Sequence, residues 1–150
     1  MLMNNTNKEK LNNSEGLVLR VQLCTTINPN FPLSPRELQE IFQGLAQVFA
    51  LDSGQVSLRL VNDQDMASLQ QAVSNCLGPT NILSFPGQEP GWWGDLVLSV
   101  DTLARETFLY NQDAHQYTIR LLAHGLLHLL GHDHGPEMDS LTDLAVLSLS

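Results

Sequence analysis

In Leu17-Val-Leu-Arg-Val-Gln-Leu-Cys24 apolar residues stand at 17, 19, 21 and 23, a period of two that predicts a half-buried strand. The period then changes. Ser34-Pro35-Arg36-Glu37 combines a capping hydroxyl, a proline suited to the first helical position and a glutamate three residues after the serine. A helix is therefore expected from Pro35, with Leu38, Ile41, Phe42, Leu45 and Val48 or Phe49 as its apolar stripe. Alternation returns from Gln55 to Val61, with Val56, Leu58 and Leu60 on one face and Ser57, Arg59 and Val61 on the other. Asp63 to Cys76 predicts a second helix with Met66, Leu69, Ala72 and Val73 on one side, ended by Leu77-Gly-Pro79.

The second half of the chain is read in the same way. Asn81 to Phe85 is a short strand stopped by Pro86, with Thr80 and Ser84 serving either turn chemistry or a cleft lining. Gly87 to Gly94 is a loop whose Trp92 and Trp93 pack their rings on the body. Asp95 to Val100 is a strand, and Asp101 caps a helix to about Tyr110 with Leu103 and Phe108 as its apolar contacts. A polar approach containing His115 leads into an apolar helix. A last helix opens at Gly135-Pro136-Glu137, with Met138, Leu141, Leu144 or Ala145, and Leu147 as its packing face. Strand, helix, strand, helix, two strands and three helices predict an α/β (α+β) fold: one mixed β-sheet with helices packed against it.

Residues 1–16 are polar and read as a flexible tail, leaving 17–150 as a single domain able to bury about 70% of its unfolded surface. The tail has no apolar core of the secretory kind, and no apolar run approaches the roughly 20 residues of a membrane span. Cys24 and Cys76 are far apart and read as reduced, buried thiols of a cytoplasmic protein. The net charge is −9, and from Leu17 onward five arginines face fourteen acidic residues. A nucleic-acid enzyme of this composition needs its positive potential concentrated locally.

The chemistry concentrates in His124-Gly-Leu-Leu-His128-Leu-Leu-Gly-His132-Asp-His134, which holds four of the five histidines. On a helix, His124 and His128 project about 40° apart and one turn along, so both imidazoles reach one ion. Gly131 suits the left-handed position that ends a helix and turns the chain, bringing His132 or His134 back as a third ligand. Three protein ligands leave a tetrahedral ion with an open position, the catalytic rather than the structural arrangement. The position after the first histidine, where zinc proteases of the His-Glu-x-x-His type carry their base, is Gly125. Arg120 lies on the metal side of the same helix, placed to pair with an acid or to contact substrate.

This stretch closely resembles the signature of the YbeY-type endoribonucleases, metal-dependent enzymes of ribosomal RNA maturation. Pro79-Thr-Asn-Ile-Leu-Ser-Phe-Pro86, Gly94-Asp-Leu-Val-Leu-Ser99 and the strand arginine Arg59 extend the resemblance from about Leu17 to Met138. It implies His124, His128 and His134 as ligands of one Zn²⁺ ion, with His132 outside the set, and Arg59 as a catalytic phosphate contact beside the metal cleft. It further implies a single-strand-specific endoribonuclease of small-subunit rRNA 3′-end processing and ribosome quality control. Ribosomal RNA is the implied partner, with a small-subunit ribosomal protein and a ribosome-assembly GTPase beside it, and neither DNA nor membrane. Asp133, Asp95 and Glu137 are the candidate bases, Asp133 serving equally to orient a histidine. The chain departs from the family in Gln70-Gln-Ala-Val-Ser-Asn-Cys76, where basic residues are usual, and in a shortened segment after His134. Two other readings fit the residues: a metal hydrolase of peptides or small molecules, and a non-catalytic ribosome assembly factor stabilised by its metal.

Overall fold

The computed structural model describes residues 16–23, 31, 33–51, 53–74 and 80–150. The expected tail up to Glu15, both cysteines and the segment ending in Pro79 lie outside the described residues. The elements are β1 (Gly16–Leu23), α1 (Pro35–Val48), β2 (Ser53–Val61), α2 (Asp63–Ser74), β3 (Ile82–Pro86), β4 (Trp92–Ser99), α3 (Val100–Leu109), α4 (Ala114–Leu129) and α5 (Pro136–Leu149). Their order is the expected one. The four strands form one mixed sheet in the order β1-β2-β4-β3. β1 and β4 flank β2 in parallel, and β3 runs antiparallel to β4 at the edge.

The alternation in β2 decides which helix covers which face. Val56, Leu58 and Leu60, with Leu96 and Leu98 of β4, join the main core with Leu38, Phe42 and Leu45 of α1 and Ile119, Leu122 and Leu126 of α4. The opposite face is covered by α2, whose Met66 and Leu69 pack on Val61, Val97, Leu83 and Phe85. Each strand thus carries apolar side chains on both faces where a helix lies on each, and the strict alternation breaks down at Val61 and Val97.

The capping box of α1 is formed as expected: Ser34 Oγ accepts from Glu37 N, and Glu37 Oε1 accepts from Ser34 N. Three expectations are corrected, one cap and two apolar contacts. Ser99 rather than Asp101 caps α3, accepting from Thr102 N, while the Asp101 carboxylate accepts from Asp63 N at the start of α2. Phe108 and Leu147 are 85% and 80% exposed, and of the alternatives Leu144 and Ala145 it is Ala145 that packs. On α5 the packed stripe is Met138, Thr142 and Ala145, followed by Leu149 against Gly44 of α1. Apolar periodicity lists several residues near one face, and only the partner helix's position selects among them. β4 also begins earlier than expected, at Trp92, with Trp93 half-buried against the main core.

Asp63 ties α2 to α3. It accepts from Ser99 Oγ at 2.8 Å, Thr102 Oγ1 at 2.6 Å and Arg105 Nη1 at 2.9 Å. Partial burial on its own would raise the pKa; the bonds from Thr102, Arg105 and Ser99 outweigh it and hold the carboxyl below its ordinary value. A folded pKa below the unfolded one means stability that is present above about pH 4 and lost as pH falls through the folded value. Asp63→Ala should therefore cost about 2 kcal/mol at neutral pH. The gap to wild type in urea unfolding should narrow on acidification; a constant gap from pH 7 to pH 3 would show that the charge contributes nothing.

Candidate metal centre

The helix α4 carries the site, and its ends are set by the sequence. Asp113 caps its start, accepting from Gln116 N at 2.9 Å. At the far end Gly131 adopts φ +95°, and two reversed bonds close the turn: Gly131 N to His128 O and His132 N to Leu127 O. The glycine's left-handed backbone folds the following residues back over the last turn. Gly125 faces the sheet. A Cβ there would lie 2.9 Å from Ile82 Cδ1 and 3.0 Å from Leu96 Cδ2. The close approach lets Ser84 Oγ of β3 donate to Gly125 O, pinning the C-terminal part of the helix to the edge strand.

With α4 held that way, His124, His128 and His134 converge, each offering a nitrogen within 4.8 Å of the others. His124 Nε2 and His128 Nε2 stand 3.2 Å apart. Nitrogens bound at about 2.05 Å to one tetrahedral ion are about 3.3 Å apart, so this pair already has the spacing of a shared ligand set. His128 Nδ1 lies 3.1 Å from the carbonyl oxygen of His132. A carbonyl only accepts, so Nδ1 carries the proton and Nε2 keeps its lone pair for an ion. His132 therefore serves through its backbone, and its ring is outside the cluster. Half-burial, followed by the like charges of His128 and His134, lowers the pKa of His124 against the opposing pull of Asp139. The neutral, ligating form thus persists below the ordinary histidine range. The donor set fits a metal ion.

The histidines open on a cavity of about 500 Å³ whose other wall is the start of β3, including Thr80, Asn81, Ile82 and Ser84. Thr80 and Ser84 are thus cleft lining, and Ser84 holds the helix besides. Several expected residues are placed elsewhere. Asp95 shares the α2 face of the sheet, where it accepts from Ser57 Oγ. Arg120 pairs with Asp143 on α5 at 2.9 Å. Asp133 and Glu137 are exposed, with no described hydrogen bond to a histidine. Arg59 has the parity of Val61, so it too projects on the α2 face, exposed beside Val61, Asp65, Ser68 and Leu69. Among the described residues the structure does not bring Arg59 to the histidine cavity.

Two groups escaped the sequence reading. Asp139 is the carboxylate whose charge reaches His124; its only signal was its place in the first turn of a helix following the motif. Tyr117 lies seven residues before His124, two turns back on the same stripe of α4, a spacing that could have flagged it. Its hydroxyl donates to Glu106, which also holds Asn81.

The profile of the family described as Endoribonuclease YbeY matches residues 28–144 of this chain. Endoribonuclease YbeY of Oleidesulfovibrio alaskensis is 38% identical over 137 residues, covering 75% of this chain and 81% of that protein. The protein of the same name from Nitratidesulfovibrio vulgaris is 38% identical over 135 residues, covering 76% and 83%. This chain belongs to the Endoribonuclease YbeY family. The YbeY match takes in α1 through most of α5, and so the whole of the histidine cavity and Asp139. In fold, the chain is similar to the solution structure of TM1509 from Thermotoga maritima, with a TM-score of 0.64 at 20% identity over 87% of this chain and 88% of that one.

The ligand set has a direct test. His132→Ala should keep its metal, because the bond to His128 uses the backbone carbonyl that alanine retains. His134→Ala should lose it. Metal content measured after gel filtration checks both, and the reverse pattern would exchange the two assignments.

Proposed function

We propose that this chain is a zinc-dependent, single-strand-specific endoribonuclease of ribosomal RNA maturation. Its work would be small-subunit rRNA 3′-end processing and ribosome quality control in the cytoplasm. Membership of the YbeY family supports it, and the single structural observation that carries it is the convergence of three imidazole nitrogens on one open cleft. An all-imidazole set suits zinc among the common divalent ions. Ribosomal RNA is the proposed substrate, with a small-subunit ribosomal protein and a ribosome-assembly GTPase as proposed partners.

A divalent ion at this site supplies Lewis-acid chemistry, neutralising charge on a phosphoryl oxygen. The chain's own residues do the rest. Backbone carbonyl 132 fixes the tautomer of His128, and Ser84 fixes the helix against the wall along which the sugar-phosphate backbone lies. The exposed His134 leaves the cleft open on its side for a phosphate to enter. Asp139, exposed on α5, adds negative charge that opposes the lowering of the His124 pKa. A cavity of about 500 Å³ suits one strand's sugar-phosphate unit rather than paired strands.

Arg59 enters this reading as a phosphate contact. Because it rises from the far face of the sheet, a strand would meet it after rounding the β3 edge rather than at the bond being cut. Arg59→Ala should change stability by less than about 0.5 kcal/mol. Metal content should stay the same, and cleavage should weaken mainly through KM, with a shallower salt dependence. A hundredfold fall in kcat would instead put the guanidinium on the reacting phosphate.

The reading as a whole is tested by cleavage of single-stranded RNA, duplex RNA and casein by nuclease-free, zinc-loaded protein, with and without a chelator. Cleavage of single-stranded RNA alone, abolished by the chelator, is expected. Proteolysis would favour the peptide hydrolase, and binding to ribosomal RNA without cleavage would favour the assembly factor.

A further inference from the structure

The wall opposite the histidines contains an amide whose orientation is fixed from outside the site. Asn81 lines the same cavity as His124, His128 and His134. Its backbone oxygen accepts from Ser99 N at 3.0 Å, fastening it to the end of β4. Its side-chain Nδ2 donates to Glu106 Oε1 at 3.2 Å, and the same oxygen accepts from Tyr117 Oη at 2.7 Å. The end of β4 thus holds the Asn81 backbone, while α3, braced by α4, holds its half-buried side chain.

The chemistry of that chain fixes the direction of the amide. An ionised carboxylate only accepts, so the group Asn81 turns to Glu106 must be its NH₂. Tyr117 stays a donor: burial, then the Glu106 carboxylate, raise its pKa. Tyr117 therefore anchors Glu106 and Glu106 anchors Asn81. The Asn81 Oδ1, on the other side of the amide, accepts no hydrogen bond from the described residues. It is an oriented acceptor on a residue that lines the cavity.

We propose that Asn81 Oδ1 accepts a hydrogen bond from a ribose 2′-hydroxyl of the bound strand, and that Glu106 and Tyr117 are the residues that position it. This rests on the reading of the chain as a ribonuclease and adds how ribose is told from deoxyribose. The sugar is the donor of choice because a phosphate brought to the histidines places its attached ribose within the same small cavity, whereas the bases project away from the backbone. A 2′-hydroxyl both donates and accepts, and it is the group that distinguishes RNA from DNA at a given position. A carbonyl acceptor oriented in this way favours the strand that supplies the donor by about the worth of one neutral hydrogen bond.

The test pairs a change in the protein with a change in the strand. Cleavage of one single-stranded RNA is measured alongside a set in which each nucleotide in turn is 2′-deoxy, with zinc-loaded wild type, Asn81→Ala and Tyr117→Phe. At one position the deoxy substitution should slow wild type about fivefold, the worth of one neutral hydrogen bond. The same substitution should cost Asn81→Ala nothing and Tyr117→Phe an intermediate factor, with metal content unchanged in both. Asn81→Ala retains the backbone bond to Ser99, and Tyr117→Phe leaves the Asn81–Glu106 bond in place, so both variants should fold. If every deoxy penalty is the same in all three proteins and the variants only slow all strands by one common factor, the network is a structural clasp and the proposal is overturned. If base identity rather than the sugar responds to Asn81→Ala, the acceptor reads a base amine, and the ribose assignment falls. Failure of wild type to cleave any RNA would be a different result, removing the ribonuclease reading on which this one stands.

Discussion

Alanine at His128 should give a folded protein that holds no metal and has lost at least about a thousandfold of its cleavage of single-stranded RNA. Of the three histidines it is the most committed: Nε2 stands 3.2 Å from His124 Nε2, while Nδ1 is tied to the carbonyl of His132. Removing it leaves two imidazoles, too few to hold an ion against water, and the electrostatic stabilisation lost is worth several kcal/mol. Each 1.36 kcal/mol is a factor of about ten, which sets the thousandfold figure. The fold should survive, because the main core of α1, α4 and the sheet does not pass through His128, which is half-buried. Stripping the metal from wild type should likewise lower Tm without unfolding the domain, since converging imidazoles lose the ligand that satisfied them. Metal content, circular dichroism and RNA cleavage on the same preparation decide the matter. Full cleavage by a metal-free His128→Ala protein would end the case for metal chemistry here.

The second large effect is expected where a carboxylate would complete a protease motif. Gly125→Glu should not yield a soluble folded protein. Gly125 is buried, and even a Cβ would press on Ile82 Cδ1 and Leu96 Cδ2. A glutamate must either bury its carboxyl against those side chains or push α4 off the sheet and break the Ser84 bond to Gly125 O. Burying an unpaired carboxyl and overpacking the interface together cost about 5 kcal/mol or more, comparable with the whole stability of a domain. Gly125→Ala is the control. Its methyl presses on the ends of the Ile82 and Leu96 side chains and touches Ser84 Oγ at an ordinary 3.4 Å, and alanine gains about 1 kcal/mol of helix propensity over glycine, so the net change should stay within about 1 kcal/mol. A well-folded Gly125→Glu protein would show that the α4–β3 contact is looser than the structure has it. The position thus explains why His-Gly takes the place of His-Glu: it faces a strand, not a substrate.

The sequence by itself determined everything that depends on local spacing. The period of two in β2, the period near 3.6 in α1 and the box Ser34–Glu37 define their elements because backbone geometry alone maps those spacings onto faces and ends. His124 and His128 are neighbours for the same reason, and Gly131 reverses the chain because a glycine tolerates φ +95°. Other features had no local signal. That Phe108 and Leu147 are exposed and Val61 and Val97 buried follows from where α2, α3 and α5 come to rest, which periodicity does not encode. That Asp95 and Arg59 rise from the sheet face away from the histidines follows from strand register and from which face α4 covers. Asn81 just before β3, Glu106 of α3 and Tyr117 of α4 meet although they stand 25 and 11 residues apart along the chain. A local pattern fixes which side chains share a face of one element. Only packing decides what that face meets, because burial is won or lost between elements distant in sequence.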